Sequence, residues 1–319
     1  MKIVVLDGYT LNPGDLSWSS LEILGNLTVY DRTCQDDIIP RAKDADVILT
    51  NKTPLPATIL EQLPQLKFIS VLATGYNIID IDCTRRLGII VSNVPGYSTA
   101  SVVQLAFALL LELTHRVQQH SDAVMNSRWV SSPDFSFWNQ PLMELAGKTI
   151  GIIGFGDIGK KMADLATVLD MNMLAYSRTQ TDQQHRKNFR WATIDDLFSQ
   201  SDIISLHCPL TQETNEIINA ASLKQMKKSA YLINTARGPL INEIDLANAL
   251  NEDWIAGAGL DVLSIEPPQP DNPLLIAKNC LITPHIAWAT VEARQRLLNE
   301  TVANVHAFLN GQPIHQVNG

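Results

Sequence analysis

An excess of positive charge is the first thing this chain lacks. Its 319 residues carry 24 lysines and arginines against 33 aspartates and glutamates, a formal charge of −9. No basic surface suited to a nucleic-acid backbone follows from that balance, so nucleic acid is not expected as a partner. Cysteine is scarce too. Cys34, Cys83, Cys208 and Cys280 lie far apart, and none forms a C-x-x-C pair or a zinc-like spacing. A disulfide framework is thereby excluded, no metal is expected, and the thiols read as reduced, structural groups of a cytoplasmic protein. Long hydrophobic runs are also missing. The most apolar stretch, residues 102–113, is interrupted by Gln104 and closed by Glu112. It falls short of the roughly 20 apolar residues of a membrane span. A buried helix is the expectation, with no membrane partner. The opening Met1-Lys2 leads straight into Ile3 to Leu6 and then Asp7-Gly8, too short for a signal core and better read as a first strand. No internal repeat and no low-complexity tail is present.

What is there fits an ordinary globular protein of about two domains, with 45% hydrophobic and 18% charged residues. Its organising stretch runs from Gly147 to Gly159. An apolar β-branched strand, residues 149–153, leads into Gly154-Phe155-Gly156-Asp157-Ile158-Gly159, and a helical pattern follows from Ile158 to about Leu169. Strand, glycine turn and helix in this order are what a dinucleotide-binding crossover needs; glycines alone also mark any tight turn, and the flanking strand and helix are what favour the nucleotide reading. The first glycine permits the tight turn, the second lets the backbone approach a pyrophosphate, and the third lets helix and strand pack closely. The helix N-terminus offers free N–H groups to the phosphates.

Before this turn, short apolar runs at 2–6, 27–30, 47–50, 68–73 and 89–92 alternate with helical segments such as 57–62 and 81–87. Strands alternating with helices mean βα units and a mostly parallel sheet. Residues 98–126 read as one long helix with an apolar middle. Residues 127–146 are irregular and carry Trp129, Phe135, Phe137 and Trp138. Such an arm fits a subunit contact, and it equally fits a loop folded on its own core. After the glycine turn, strands at 173–176, 203–207, 231–234, 257–262 and 281–283 complete a six-stranded doubly wound pattern, with helices at 194–200, 221–228 and 241–251. A last helix covers about 290–309.

In an open α/β sheet, ligands bind beyond the C-terminal ends of the strands. Arg237, Glu266 and His285 fall there, after three consecutive strands. Each alone is an ordinary surface or turn residue. Together they make an acid–base pair with an anion clamp. Hydride delivery to a ketone leaves negative charge on oxygen, so a proton donor with a pKa near neutrality is wanted. Histidine suits that role, and a neighbouring carboxylate orients it and favours its protonated form. An arginine holds a carboxylate by two parallel hydrogen bonds. A 2-keto acid needs both partners at once.

The motifs in sequence are 73–80 (Ala73-Thr-Gly-Tyr-Asn-Ile-Ile-Asp80), 93–98 (Asn93-Val-Pro-Gly-Tyr-Ser98), the Gly154 turn, and His207-Cys208-Pro209-Leu210-Thr211. They continue with Ile233 to Gly238, Gly259 to Val262 with Glu266-Pro267, and Thr283-Pro284-His285. In this order, and over nearly the whole chain, they resemble the D-isomer-specific 2-hydroxyacid dehydrogenase family, above all its glycerate dehydrogenase or hydroxypyruvate reductase members. The resemblance implies an α/β fold of two doubly wound parallel-sheet domains. One is a flavodoxin-like substrate domain, discontinuous over 1–98 plus 289–319. The other is a Rossmann NAD(P)-binding domain over 99–288. It implies a substrate cleft that closes to exclude water and a homodimer joined through the long-helix region. Trp138 matches the place from which some members reach into a neighbour's active site.

The resemblance also assigns roles. Arg237 binds and polarises the substrate, His285 is the acid–base, and Glu266 orients it. Ala73, Gly75 and Tyr76 cradle the substrate carboxylate, and Trp288 narrows the pocket toward small substrates. Gly154, Gly156, Asp157, Ile158 and Gly159 hold the nucleotide; His207, Cys208, Pro209, Thr235 and Ala236 line it, and Asp261 holds the nicotinamide carboxamide.

One departure bears on the cofactor. A strand that binds NAD usually ends in Asp or Glu about 20 residues beyond the glycines, to hold the ribose hydroxyls. Here Tyr176 is followed by Ser177, Arg178 and Thr179. No carboxylate repels a 2′-phosphate, and Arg178 can pair with one. NADP is therefore expected ahead of NAD. The expected activity is interconversion of a small 2-keto acid, hydroxypyruvate or glyoxylate, and its D-2-hydroxy acid. The alternatives are a dehydrogenase for another 2-hydroxy acid or a non-catalytic NAD(H)-sensing protein. Glu266 stands where formate dehydrogenases resemble the family with a glutamine. With Gly319 as its last residue, a phosphoglycerate dehydrogenase of the long type, with its C-terminal regulatory domain, is not expected.

Overall fold

The computed structural model describes residues 1–319. They divide into two units, Met1–Ser98 with Ala289–Gly319, and Thr99–Trp288. In the first, β1 (Lys2–Val5), β2 (Asn26–Val29), β3 (Val47–Thr50), β4 (Phe68–Val71) and β5 (Ile90–Ser92) form a parallel sheet in the order β2-β1-β3-β4-β5. That is the flavodoxin-like order. Every residue of β3 and β4 is buried. These strands therefore read as continuous apolar runs rather than alternating ones, as expected where both faces of a parallel sheet are covered. The helix Val291–Leu309 returns the chain to this unit and stacks Phe308 on Phe68, ring centroids 4.5 Å apart.

The second unit holds β6 (Thr149–Ile153), β7 (Asn172–Tyr176), β8 (Phe189–Trp191), β9 (Ile203–Leu206), β10 (Tyr231–Asn234), β11 (Gly257–Leu260) and β12 (Cys280–Ile282). The sheet is parallel, in the order β12-β11-β10-β9-β6-β7-β8. This is the Rossmann order extended at one end by β12, and it reverses direction between β6 and β9, where dinucleotides bind. The sequence predicts six strands, and the sheet has seven. The added strand, β8, is an edge of three residues with exposed Arg190 at its centre. Phe189 and Trp191 bring it in, packing on each other and on Phe155 with centroids 5.1 Å apart. Three residues carry too little periodicity to read.

The single long helix expected over 98–126 is two helices, Thr99–His115 and Val117–Met125, bent by 55°. The break is Arg116, in the left-handed region at φ 51°. Its side chain is buried, and Nη2 donates to Asn279 Oδ1 at 3.0 Å. A tertiary contact overrides a local helical pattern here. No single helix is long and apolar enough to cross a membrane. The arm that follows has no helix or strand before β6, and Val130, Phe135 and Trp138 are exposed. Trp129 Nε1 donates to the Phe135 carbonyl, so the arm folds on itself while its apolar side chains face outward.

Candidate active site

The glycine turn joins β6 to the helix Asp157–Val168. Gly154 has φ +94°, and a side chain there would meet the His207–Cys208 backbone at 2.5 Å. A side chain at Gly159 would meet the Gly154 carbonyl oxygen at 2.2 Å. At Gly156 nothing lies within 4 Å. Two of the glycines thus close the turn against protein, and the middle one faces open space where a ligand can approach the backbone. The helix N-cap is Gly156, with no side-chain cap. Asp157 is exposed and its side chain makes no hydrogen bond, and Ile158 is partly buried in the core.

Main-chain bonds gather the neighbouring strand ends around this turn. The Gly154 N–H donates to the Tyr176 carbonyl at 2.9 Å, which brings the end of β7 alongside. Ser177 there is partly buried, and Arg178 and Thr179 are exposed. Arg178 makes no ion pair; its charge reaches Glu213, helping to hold that carboxyl below its usual range after the Thr211 hydroxyl and a backbone bond. The His207 N–H donates to Ile153 at 2.7 Å. His207 Nε2 lies 2.9 Å from Ser205 Oγ, and burial pushes the imidazole down to about 4, so the ring is neutral. Its Nδ1 and the Thr235 Oγ1 are enclosed with no hydrogen-bond partner. Orphaned buried polar atoms are rare and call for a ligand or water. Cys208 is buried, Pro209 is exposed and Ala236 is partly buried. An uncapped helix end, an open Gly156 and two orphaned polar atoms fit a dinucleotide.

The three titratable residues stand after β10, β11 and β12. Glu266 and His285 are in contact: His285 Nδ1 lies 2.7 Å from Glu266 Oε2. Glu266 Oε1 accepts the Leu263 N–H at 3.1 Å, which fixes the carboxylate plane. With Nδ1 engaged, Nε2 is the ring nitrogen left for other partners. His285 itself has φ 54°, a left-handed conformation uncommon outside glycine. Arg237 bonds to neither of the two. Its guanidinium is exposed, and Nη1 donates to the carbonyl of the preceding Ala236 at 2.6 Å. Its turn is nevertheless fixed to the same framework. Buried Asn234 accepts the Ala236 N–H and donates to the Arg237 carbonyl. Gly238 lies against the Leu263–Ser264 backbone, where a side chain would come within 2.0 Å of Leu263.

Asp261, matched by resemblance to a cofactor contact, is fully enclosed. Oδ1 accepts from the Thr283 hydroxyl at 2.6 Å and the Ile286 N–H at 2.9 Å, and Oδ2 accepts from the Ala287 N–H at 2.8 Å. Burial raises its pKa, and those three bonds oppose the rise. In this structure Asp261 anchors the loop that carries His285. Trp288, at the end of that loop, is partly buried.

In the first unit, the turn after β4 carries Ala73, Gly75 and Tyr76. Tyr76 is 39% exposed. The Ala73 carbonyl accepts from Val94, Asn93 holds the Thr74 carbonyl, and the Tyr76 carbonyl accepts from Ile79. The Gly75 and Tyr76 N–H groups make no such bond, which leaves a pair of donors at a strand end. Sequence reasoning missed the residues that hold these turns. Asn234 is one, Ser101 is another, and Asp7 accepts the N–H groups of Asn51, Lys52 and Thr53 at 2.6–2.8 Å. A short polar residue at or just past the end of an apolar strand was the available signal for Asn234 and Asp7.

Comparison with known proteins places this arrangement. The family model "D-isomer specific 2-hydroxyacid dehydrogenase, NAD binding domain" matches residues 107–287. The chain is similar to a hydroxypyruvate reductase of Blautia hydrogenotrophica, 50% identical over 321 residues and covering 100% of each. Among solved structures it is similar to D-lactate dehydrogenase from Aquifex aeolicus complexed with NAD and lactic acid, at 30% identity and TM-score 0.88 over 100% of this chain and 99% of that one. It is also similar to an acyclic imino acid reductase in complex with NADPH and D-Arg, at 30% identity and TM-score 0.86 over 99% and 100%.

Proposed function

The chain belongs to the D-isomer-specific 2-hydroxyacid dehydrogenase family, an oxidoreductase acting on CH–OH, and from that premise we propose that it reduces hydroxypyruvate, with glyoxylate as a second substrate. The observation that carries this reading is the His285–Glu266 contact at 2.7 Å beside an open arginine turn. Bound reduced nicotinamide supplies the hydride. Glu266 holds Nδ1, so His285 gives its proton from Nε2 to the ketone oxygen as negative charge develops there. Arg237, with its remaining guanidinium N–H groups, holds the keto acid's oxygens. The free N–H groups of Gly75 and Tyr76 receive the carboxylate, and Trp288 favours small substrates. Residues 99–288 bind the nucleotide, and 1–98 with 289–319 serve the substrate.

NADPH is the preferred donor in this reading. Arg178 is exposed and unpaired at the end of β7, and no carboxylate stands at 177–179 to repel a 2′-phosphate. The protein works as a homodimer. Supporting this, an apolar depression of about 470 Å³ on the Thr99–His115 helix is lined by Val103, Phe107, Leu111 and Leu165, and the neighbouring arm exposes Phe135 and Trp138.

The test is a steady-state comparison of NADPH and NADH oxidation with hydroxypyruvate, glyoxylate, pyruvate and a bulkier keto acid. Fast turnover of hydroxypyruvate with NADPH is expected. Fast turnover with NADH alone rejects the cofactor preference and keeps the enzyme. Nucleotide binding without turnover of any acid rejects the reductase reading in favour of a sensor.

A further inference from the structure

We propose that Ser101 is a positioning residue for His285, a role that rests on His285 being the acid–base group. Ser101 lies in the first turn of the Thr99–His115 helix and is 5% exposed. Its hydroxyl donates to the Ala287 carbonyl at 2.5 Å. The Ala287 N–H is itself bound to Asp261 Oδ2, and the Ile286 N–H to Asp261 Oδ1. Residue 287 is therefore clamped at both ends, by Asp261 just past β11 on one side and by the helix on the other.

The helix is a firm mount. It packs against β10 and β11, where the missing side chains of Gly257 and Gly259 admit Leu113 and Leu109 to about van der Waals contact. Arg237 and Glu266 follow these same two strands. Ser101 thus ties the His285 loop to the elements that carry its partners. His285 needs such a tie. Its ring is held by Glu266 through one contact, and its backbone sits at φ 54°. A left-handed residue persists when its surroundings over-determine it.

Removing the hydroxyl leaves the Ala287 carbonyl buried without its donor, since Ala287 is 3% exposed. A buried acceptor left unsatisfied is costly, and the loop relieves it by turning the peptide. His285, two residues upstream, turns with it. The nucleotide turn at 154–159 and Ser177 to Thr179 take no part in this bond. Asp261 keeps its bonds to the Thr283 hydroxyl and the Ile286 N–H, so the loss falls on kcat and spares nucleotide binding.

The experiment compares Ser101→Ala, Ser101→Val, Ser101→Thr and His285→Gln in NADPH-dependent reduction of hydroxypyruvate. NADPH affinity is read by fluorescence titration, and hydrogen exchange is followed at the Ile286 and Ala287 amides. Ser101→Ala and Ser101→Val should lower kcat about tenfold, with NADPH affinity unchanged and those amides exchanging faster. Ser101→Thr, which keeps the hydroxyl, should restore kcat; Val is its isostere without the hydroxyl, so the pair separates the bond from packing even if Ala fails to fold. Wild-type kcat in Ser101→Val, or equal loss in Val and Thr, overturns the proposal. Full turnover by His285→Gln overturns the premise instead, whatever Ser101 does.

Discussion

The glycine turn and the His285 loop sit at strand ends of one sheet, and they treat their polar groups in opposite ways. Around the turn, His207 Nδ1 and Thr235 Oγ1 have no partner, the helix start is uncapped and Gly156 faces open space. Around the histidine, Asp261, Ser101, Thr283 and Glu266 all have partners within the loop's framework. A surface that a nucleotide completes is left open until the nucleotide arrives. A group that must meet a developing charge at one position is held by the protein beforehand. Substitutions in the two places should therefore fail differently.

The largest effect is expected at the closed loop. His285→Gln should lower kcat for hydroxypyruvate by about 10³-fold, within the range for removing a general acid. NADPH affinity by fluorescence titration should stay within about twofold. A parallel loss of affinity would show that the two regions are not separable, and would break the comparison at its root.

Next comes a contrast inside the turn. Gly159→Ala places a carbon 2.2 Å from the Gly154 carbonyl oxygen, so the third glycine is closed against protein. Overpacking of that severity should cost about 3 kcal/mol of stability. Gly156→Ala meets nothing within 4 Å, and its φ of −78° suits alanine. Its melting temperature should hold or rise slightly, since losing a glycine raises stability by about 0.5 kcal/mol through the unfolded chain. On the proposed nucleotide site the new carbon stands in the path of the pyrophosphate, so NADPH affinity should fall about tenfold. Thermal melting and nucleotide titration on the pair decide the matter. Equal melting temperatures for the two variants would contradict the reading.

Arg178→Ala sharpens the open side further. With no ion pair in the protein, Arg178 has little structural work, so stability should not change. KM for NADPH should rise about tenfold, the scale of one charge-assisted contact, with NADH kinetics unaltered. Equal loss with both nucleotides would remove the case for a 2′-phosphate contact.

The two regions also differ in how far the sequence reveals them. Gly154, Gly156 and Gly159 were legible because their requirement is local: a strand before, a helix after, and between them two glycines closed against protein and one open to a ligand. The places of Arg237, Glu266 and His285 after three consecutive strands were legible from the apolar runs that precede them. Ser101 was not, because its partner is a carbonyl 186 positions along the chain and a serine at a helix start reads first as a cap. Arg116 broke the expected long helix for the same kind of reason. Its partner, Asn279, is 163 positions away. The edge strand Phe189–Trp191 escaped notice because three residues around an exposed arginine show no period, while aromatic packing on Phe155 holds it in place. Periodicity reports which face is buried; it does not report which distant backbone group a polar side chain will meet.

The smallest effect concerns the thiols, and it probes the same boundary between enclosed and open surface. Cys208 follows His207 at the edge of the nucleotide turn, and burial pushes its thiol up to about 11. Cys280, which opens β12, is pushed up to about 12 by the same cause. Only the thiolate attacks an alkylating agent. At pH 8 a thiol titrating near 11 is ionised in about one molecule in a thousand. Cys34 is exposed in the other unit, with Sγ near Asp37 at 3.2 Å. Iodoacetamide at pH 8 should therefore modify Cys34 first, leave Cys208 and Cys280 unmodified in the folded protein, and leave turnover nearly unchanged. Mass spectrometry after short exposure reads the order. Early labelling of Cys208 would mean that the floor of the turn opens to solvent, and that the orphaned atoms beside it are met by water before any nucleotide binds.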